Sequence, residues 1–207
     1  MANDDWIAAR CGLLPLNFPF GNYSKNYYRL TTGAAAHNIF IGQPVDLDAN
    51  GRAVAITIGS NNLTIGTVVG FTDTNLAALP SVMHSLSQGA YLPGNNDGYV
   101  LVADDPNQEF VIQEDTGGTA LTTVAGGLGA WVTYRSSSGN TTTGYSTLEV
   151  DRSVTTTGTD GLVQLLRPLE GPINSDGTLN APGNYCKWVV KIMNHRLGGG
   201  AKFQTPV

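Results

Sequence analysis

The sequence predicts an all-β protein, built as small antiparallel barrel or sandwich subdomains with an extended N-terminal arm and little or no helix. Charged residues are 13% of the 207, about half the usual share, so long helices would lack the Lys, Glu and Arg that their water-facing sides need. Thr, Asn, Ser and Gly make the polar surface instead, and these favour strands and turns. Gly supplies 26 residues and Pro 10, enough to punctuate many short connections. A hydrophobic content of 41%, with three Trp, eight Tyr and six Phe, gives bulk for a core and excludes disorder.

Residues 1–38 read as the arm. In Leu13-Leu-Pro-Leu-Asn-Phe-Pro-Phe-Gly21 two prolines forbid a helix and favour extended chain. The aromatics Phe18, Phe20, Tyr23, Tyr27 and Tyr28 follow one another closely, and need either their own domain or another subunit to cover them. Residues 39–97 read as a small meander or partly closed barrel. Gln43–Leu47, Ala53–Ile58 and Thr64–Phe71 are rich in Val, Ile and Thr and are separated by turn signals, with one apolar face in the alternation. Pro93-Gly-Asn-Asn-Asp-Gly98 marks a boundary.

Residues 98–207 read as a second β subdomain. Its strands are Tyr99–Ala103, Glu109–Gln113, Ala120–Val124, Ala130–Arg135, Leu162–Leu166 and Trp188–Met193. Two long polar loops, Ser136–Gly144 and Gly171–Asn184, and a basic C-terminal segment complete it. No fixed-period repeat is present.

The net charge of −5 argues against a nucleic-acid partner, which requires a basic patch. Charge is also segregated. Residues 41–185 carry four arginines against fourteen carboxylates, whereas residues 186–207 hold Lys187, Lys191, Arg196 and Lys202 with no acid. Basic ends are therefore expected to lie against an acidic body, their own or a neighbour's. No stretch reaches the ~20 apolar residues of a membrane span. The opening Met-Ala-Asn-Asp-Asp has no basic n-region or apolar h-region, so a cytoplasmic site of synthesis is expected. Cys11 and Cys186 are then reduced thiols, and the sequons at Asn22, Asn62 and Asn140 are ordinary turn residues.

Motifs for chemistry fail on inspection. Asp46-Leu-Asp48-Ala-Asn50-Gly51 fits the start of a calcium loop, but Thr57 stands where a bidentate Glu belongs, and Asn-Gly between alternating runs signals a hairpin. Asp104-Asp105-Pro106-Asn107-Gln108-Glu109, followed by Glu114 and Asp115, reads as a turn with solvated acids rather than a catalytic pair. His37, His84 and His195 have no metal-ligand spacing. Gly144-Tyr-Ser146 is not a nucleophile elbow, and Ala125-Gly-Gly-Leu-Gly-Ala130 lacks the strand and helix of a dinucleotide loop. No catalytic, cofactor or metal residue is assigned, and no enzyme is expected.

Taken in order, Tyr27-Tyr28-Arg29-Leu, Asn38-Ile-Phe-Ile-Gly-Gln-Pro-Val45, Asp48-Ala-Asn-Gly51, Thr67-Val-Val-Gly-Phe-Thr-Asp73, Val102-Ala-Asp-Asp-Pro-Asn-Gln-Glu-Phe-Val-Ile-Gln113 and Val189-Val-Lys-Ile-Met-Asn-His195 resemble the capsid decoration, or cement, proteins of tailed-bacteriophage heads. The likeness runs over residues 23–195 in short segments. It implies a non-enzymatic virion protein on the outer surface of the shell, homotrimeric, with the major capsid protein as partner and no cofactor, nucleic acid or membrane. Extended aromatics make good hot spots, so the expected contact residues are Phe18, Phe20, Tyr23, Tyr27, Tyr28, Arg29, Lys187, Lys191, Arg196 and Lys202. Loss of residues 1–24 is expected to release the partner and leave the β fold intact. The alternative is a β-rich adhesion or carbohydrate-binding protein of the virion, with Trp131, Tyr134 and Tyr145 as a stacking platform.

Overall fold

The computed structural model describes residues 12–16, 23–30, 38–58, 63–72, 91–92, 98–119, 121–122, 127–156, 161–171, 174 and 176–198, with the side chains of 91–92, 134–137 and 154–156 excepted. Every regular element among them is a strand. The thirteen are β1 (Leu14–Pro15), β2 (Asn26–Arg29), β3 (Ile39–Phe40), β4 (Pro44–Leu47), β5 (Ala53–Ala55), β6 (Gly66–Thr72), β7 (Tyr91–Leu92), β8 (Tyr99–Ala103), β9 (Phe110–Gln113), β10 (Gly129–Gly139), β11 (Ser146–Thr156), β12 (Val163–Pro168) and β13 (Lys187–Ile192). The all-β reading holds.

Six strands form one sheet in the order β1-β9-β13-β12-β10-β11. Alternation sends Phe110 and Ile112, Trp188 and Val190, Val163 and Leu165, Ala130 and Val132, and Leu148 and Val150 into a shared core. The sheet curls until Glu114, just past β9, forms a parallel bridge with Val150 of β11. Residues 12–16 fill the rest of that seam. Gly12 N donates to Leu148 O at 3.1 Å, β1 pairs with Val111 and Phe110, and Leu16 N donates to Glu109 O at 2.9 Å. Leu13 is completely buried in this core. Of the two covers left open for the arm, these residues take their own domain: 12–16 are a stave of the barrel, because prolines suit a short edge strand and Leu13 and Leu14 supply its buried bulk.

Five strands form the second sheet, β2-β8-β6-β4-β5, and β3 pairs with β7. This sheet curls as well, and Leu30 after β2 meets Ala53 of β5 in a parallel bridge. It draws on residues 26–29, on residues 44–72 and on residues 99–103, so the divisions at 38 and 97 do not coincide with the division between sheets.

The two sheets share a wall. Val68 and Phe71 of β6, with Val100 and Val102 of β8, face the core of their own sheet, whereas Val69, Leu101 and Ala103 pack into the other. A register shift between Val68 and Gly70 lets Val68 and Phe71, three apart, share a face. All seven residues of β6 are therefore buried, where simple alternation predicts one apolar side. Gly66 crosses this wall so closely that an added Cβ would collide with the Ala103 carbonyl oxygen. Gly66→Ala is expected to lower the unfolding free energy by about 3 kcal/mol, the upper end of overpacking costs, readable as a reduced urea midpoint.

A four-residue turn joins the sheets. Gln43 N donates to Phe40 O, Gly42 takes a φ of 80° that glycine tolerates, and the Gln43 side chain accepts from Phe40 N at 3.1 Å. From this turn, Gly42 O accepts from Leu13 N, Ile41 N donates to Gly144 O, and Ile41 O accepts from Ser146 N.

Several expected elements shift. β11 was unforeseen. The expected loop 136–144 shrinks to Asn140–Gly144, because β10 runs on to Gly139, and Asn140 Oδ1 accepts from Thr142 N to close the turn. The 171–184 loop is tied down: Asn180 Nδ2 donates to Leu169 O and Lys187 O, and its Oδ1 accepts from Lys187 N. No strand is seen at the described residues Leu121 and Thr122.

Candidate interaction surface

Strand β2 is the edge where the expected contact residues concentrate. Leu30 N donates to Gly98 O, and the antiparallel register continues Arg29–Tyr99, Tyr28–Val100 and Tyr27–Leu101. Backbone groups alternate in direction along such a strand, so Tyr27 turns its N–H and C=O away from β8. Beyond the Leu30–Ala53 bridge, no described residue pairs with that edge. The Tyr27 side chain is 53% exposed, and Asn26 and Arg29 are exposed beside it.

The neighbouring tyrosines are committed inward. Tyr28 OH donates to Asp104 Oδ2 at 2.6 Å, and Asn26 Nδ2 donates to the same oxygen at 2.8 Å. Burial, and then that carboxyl, raise the Tyr28 phenol well above its usual value. Tyr23 is half-buried against the first core, with the Lys25 ammonium 5.2 Å from its ring centroid. Phe18, Phe20 and Lys202 lie outside the described residues, as do Cys11, His37 and His84.

The basic C-terminal residues divide. Lys187 is fully buried, which corrects its expected place on a contact surface. It opens β13 opposite Gln113, and both it and its neighbour Val189 are covered. Lys191 is half-buried. Arg196 meets the acidic body. Its Nε donates to Asp46 Oδ1 at 2.6 Å and its Nη2 to Asp46 Oδ2, a bidentate pair that holds the guanidinium even more firmly protonated.

The acids also separate. Asp48 and Asp105 are turn-formers, as expected. Asp48 Oδ1 accepts from Asn50 N and Arg52 N, with Gly51 at a φ of 72°, and Asp105 Oδ1 accepts from Asn107 N. Asp104 and Glu114 depart from the solvated-acid reading, for both are buried. Glu114 accepts from Trp188 Nε1 at 2.8 Å, from Leu121 N at 3.0 Å and from Arg152 Nη1 at 3.4 Å. Desolvation raises its pKa despite these partners, and raises that of Asp115 alongside.

Arg152 is the hub of this end of the barrel. Its Nε donates to Gly117 O and its Nη2 to Thr116 O, both at 2.6 Å, while Nη1 donates to Asn184 Oδ1 at 3.0 Å. Cys186 is a free, buried thiol, pushed up to about 12 by burial and by Glu114, which leaves it unreactive. Among the described residues no three His, Cys, Asp or Glu side chains group as a metal site.

Of the aromatic platform, Trp131 is half-buried, Tyr145 packs against the second core and is bridged to Ile41, and the Tyr134 side chain lies outside the described residues. Comparison with protein-family models, curated proteins and solved structures finds no match.

Proposed function

We propose that this chain is a non-enzymatic structural protein of a tailed-bacteriophage head: a decoration, or cement, protein that binds the outer surface of the assembled shell as a homotrimer. In this reading the major capsid protein is its partner, and it is made in the bacterial host cytoplasm. The resemblance of segments along residues 23–195 motivates the assignment. The observation that best supports a contact role is the outer edge of β2, where Tyr27 presents both its side chain and its backbone groups and Arg29 flanks it. Such an edge can add a strand from a partner, with the main chain supplying affinity and the exposed aromatic supplying an anchor.

Multiplicity reinforces modest contacts. Three linked copies on one shell gain avidity from effective concentration, so a firm clamp needs no single tight site.

The test is binding of the purified protein to undecorated heads, read as copies per particle in electron micrographs. Hundreds of copies are expected for cement and a few to tens for an adhesin. Tyr27→Ser with Arg29→Glu is expected to weaken attachment about thirtyfold, a hot-spot loss of about 2 kcal/mol, with no shift in the unfolding midpoint, since both side chains are exposed. Undiminished occupancy by this variant, or no binding by the parent chain, would overturn the assignment.

A further inference from the structure

His195 sits at the point where the C-terminal segment fastens to the five-stranded sheet. The fastening is mostly backbone: Thr64 N donates to Asn194 O and Arg196 N donates to Thr64 O, both at 2.9 Å, and Thr64 and His195 form a parallel bridge. The turn that follows is held by the histidine itself. Gly198 N donates to His195 O at 3.0 Å, and Leu197 N donates to His195 Nδ1 at 3.1 Å. An Nδ1 that accepts carries no proton, so the proton of the neutral ring is on Nε2. That nitrogen is buried and has no hydrogen-bond partner of ordinary geometry, in a side chain that is 3% exposed.

We propose that residues 195–198 form an acid-released clasp, in which protonation of His195 at Nδ1 opens the turn and frees Arg196 from Asp46. The proton and the Leu197 amide compete for the same lone pair, so an imidazolium cannot keep this turn closed. Its second N–H would meet an amide donor, and its charge would be held on an almost completely buried side chain. Asp104 and Asp105, on the turn after β8, attract the charged ring already in the closed form and so oppose release; Pro106 of the same turn lies near enough that a Cβ added at Gly198 would touch it.

Among the described residues the charged groups that act on the histidine are these two carboxyls, and the guanidinium of the adjacent Arg196 is engaged by Asp46. Burial outweighs the carboxyls and the Ile65 backbone, and holds the closed ring below the usual histidine pKa. The sign follows. A pKa depressed in the closed form stabilises closure above the ordinary histidine pKa of ~6.5 and loses that stabilisation as pH falls toward the depressed value. Each unit of pH in that window multiplies the open fraction by up to about ten.

The experiment is amide hydrogen exchange on the full chain between pH 7.5 and 5.0, corrected for intrinsic rates. Protection of Arg196 and Leu197 is expected to fall about tenfold per pH unit below ~6.5, while Val190 in β13 stays protected. His195→Asn supplies a non-titrating acceptor, because an Asn side-chain oxygen also takes the N–H two residues on. Its Arg196 and Leu197 protection is expected to be flat with pH. Flat protection in the parent chain, a parallel fall at Val190, or an undiminished fall in His195→Asn would overturn the proposal. If the variant does not fold, the ring nitrogen shifts of the parent decide: titration at Nδ1 must track loss of Leu197 protection, and titration without that loss refutes the clasp.

Discussion

Deleting residues 1–16 is expected to abolish cooperative folding, not merely partner binding. The segment closes the seam of the six-stranded sheet, and without it the Leu148 carbonyl and the free edge of β9 lose their partners, while the Glu109 carbonyl loses one of two donors and keeps Gln108 Nε2. Buried backbone groups left unpaired cost about 1–3 kcal/mol each. The buried apolar surface of Leu13 and Leu14 is lost as well. Together these approach the 5–15 kcal/mol by which a domain is stable at all. Leu13→Ala isolates the packing part and should cost about 2–5 kcal/mol, since the fully buried side chain leaves a cavity in the core. Urea denaturation followed by circular dichroism measures both. A truncated chain that keeps a cooperative transition near that of the full chain would show that residues 12–16 are dispensable to the barrel.

Replacing Arg152 by Met is expected to cost about 3–5 kcal/mol, the penalty for stranding a buried charge. The loss is wider than one ion pair. The carbonyls of Thr116 and Gly117 and the Asn184 side chain all lose the donor that converges on them. The deficit should depend on pH with a definite sign. Glu114 already has a raised pKa from burial, and without the guanidinium it rises further. A carboxyl whose folded pKa exceeds its unfolded value stabilises the fold most below the unfolded value near ~4.3 and loses that contribution as pH climbs. Arg152→Met should therefore be closest to the parent chain at pH 4 and furthest from it at pH 7. Unfolding midpoints across that range check it, and Glu114→Gln added to Arg152→Met should remove most of the dependence, the remainder belonging to Asp115, whose carboxylate the guanidinium also favours.

Legibility in the sequence followed how each residue is covered. The hairpin at Asp48–Gly51 and strand β8 were readable because turn chemistry and a continuous apolar run are local signals. Strand β11 was not. Its Ser-Thr-Leu-Glu-Val-Asp-Arg-Ser pattern resembles a polar connector, since Glu149 and Arg152 look solvated until partners from distant segments reach them. Lys187 misled in the same way, for nothing adjacent in sequence reveals that it is covered. On the contact surface, Tyr27 and Tyr28 are neighbours with opposite fates, decided by an aspartate 76 positions from Tyr28. At residues 12–16 the sequence leaves both readings open, because extended, proline-bearing chain reads identically whether it pairs with its own sheet or another's.

The seam filled by residues 12–16 also sets the timing of folding during synthesis. These residues leave the ribosome early, yet their partners at Glu109–Val111 and Leu148 emerge roughly a hundred residues later, and Thr64 waits for Asn194 and Arg196. The six-stranded sheet cannot be closed until β11 and β13 have been made, and the five-stranded sheet, whose last strand ends at Ala103, lacks the fastening of Thr64 until residue 196. Such distant pairings fold slowly and leave strand edges open meanwhile. The nascent chain is thus predicted to be most exposed to chaperones and proteases before residue 196 is translated, and to become resistant in a single late step.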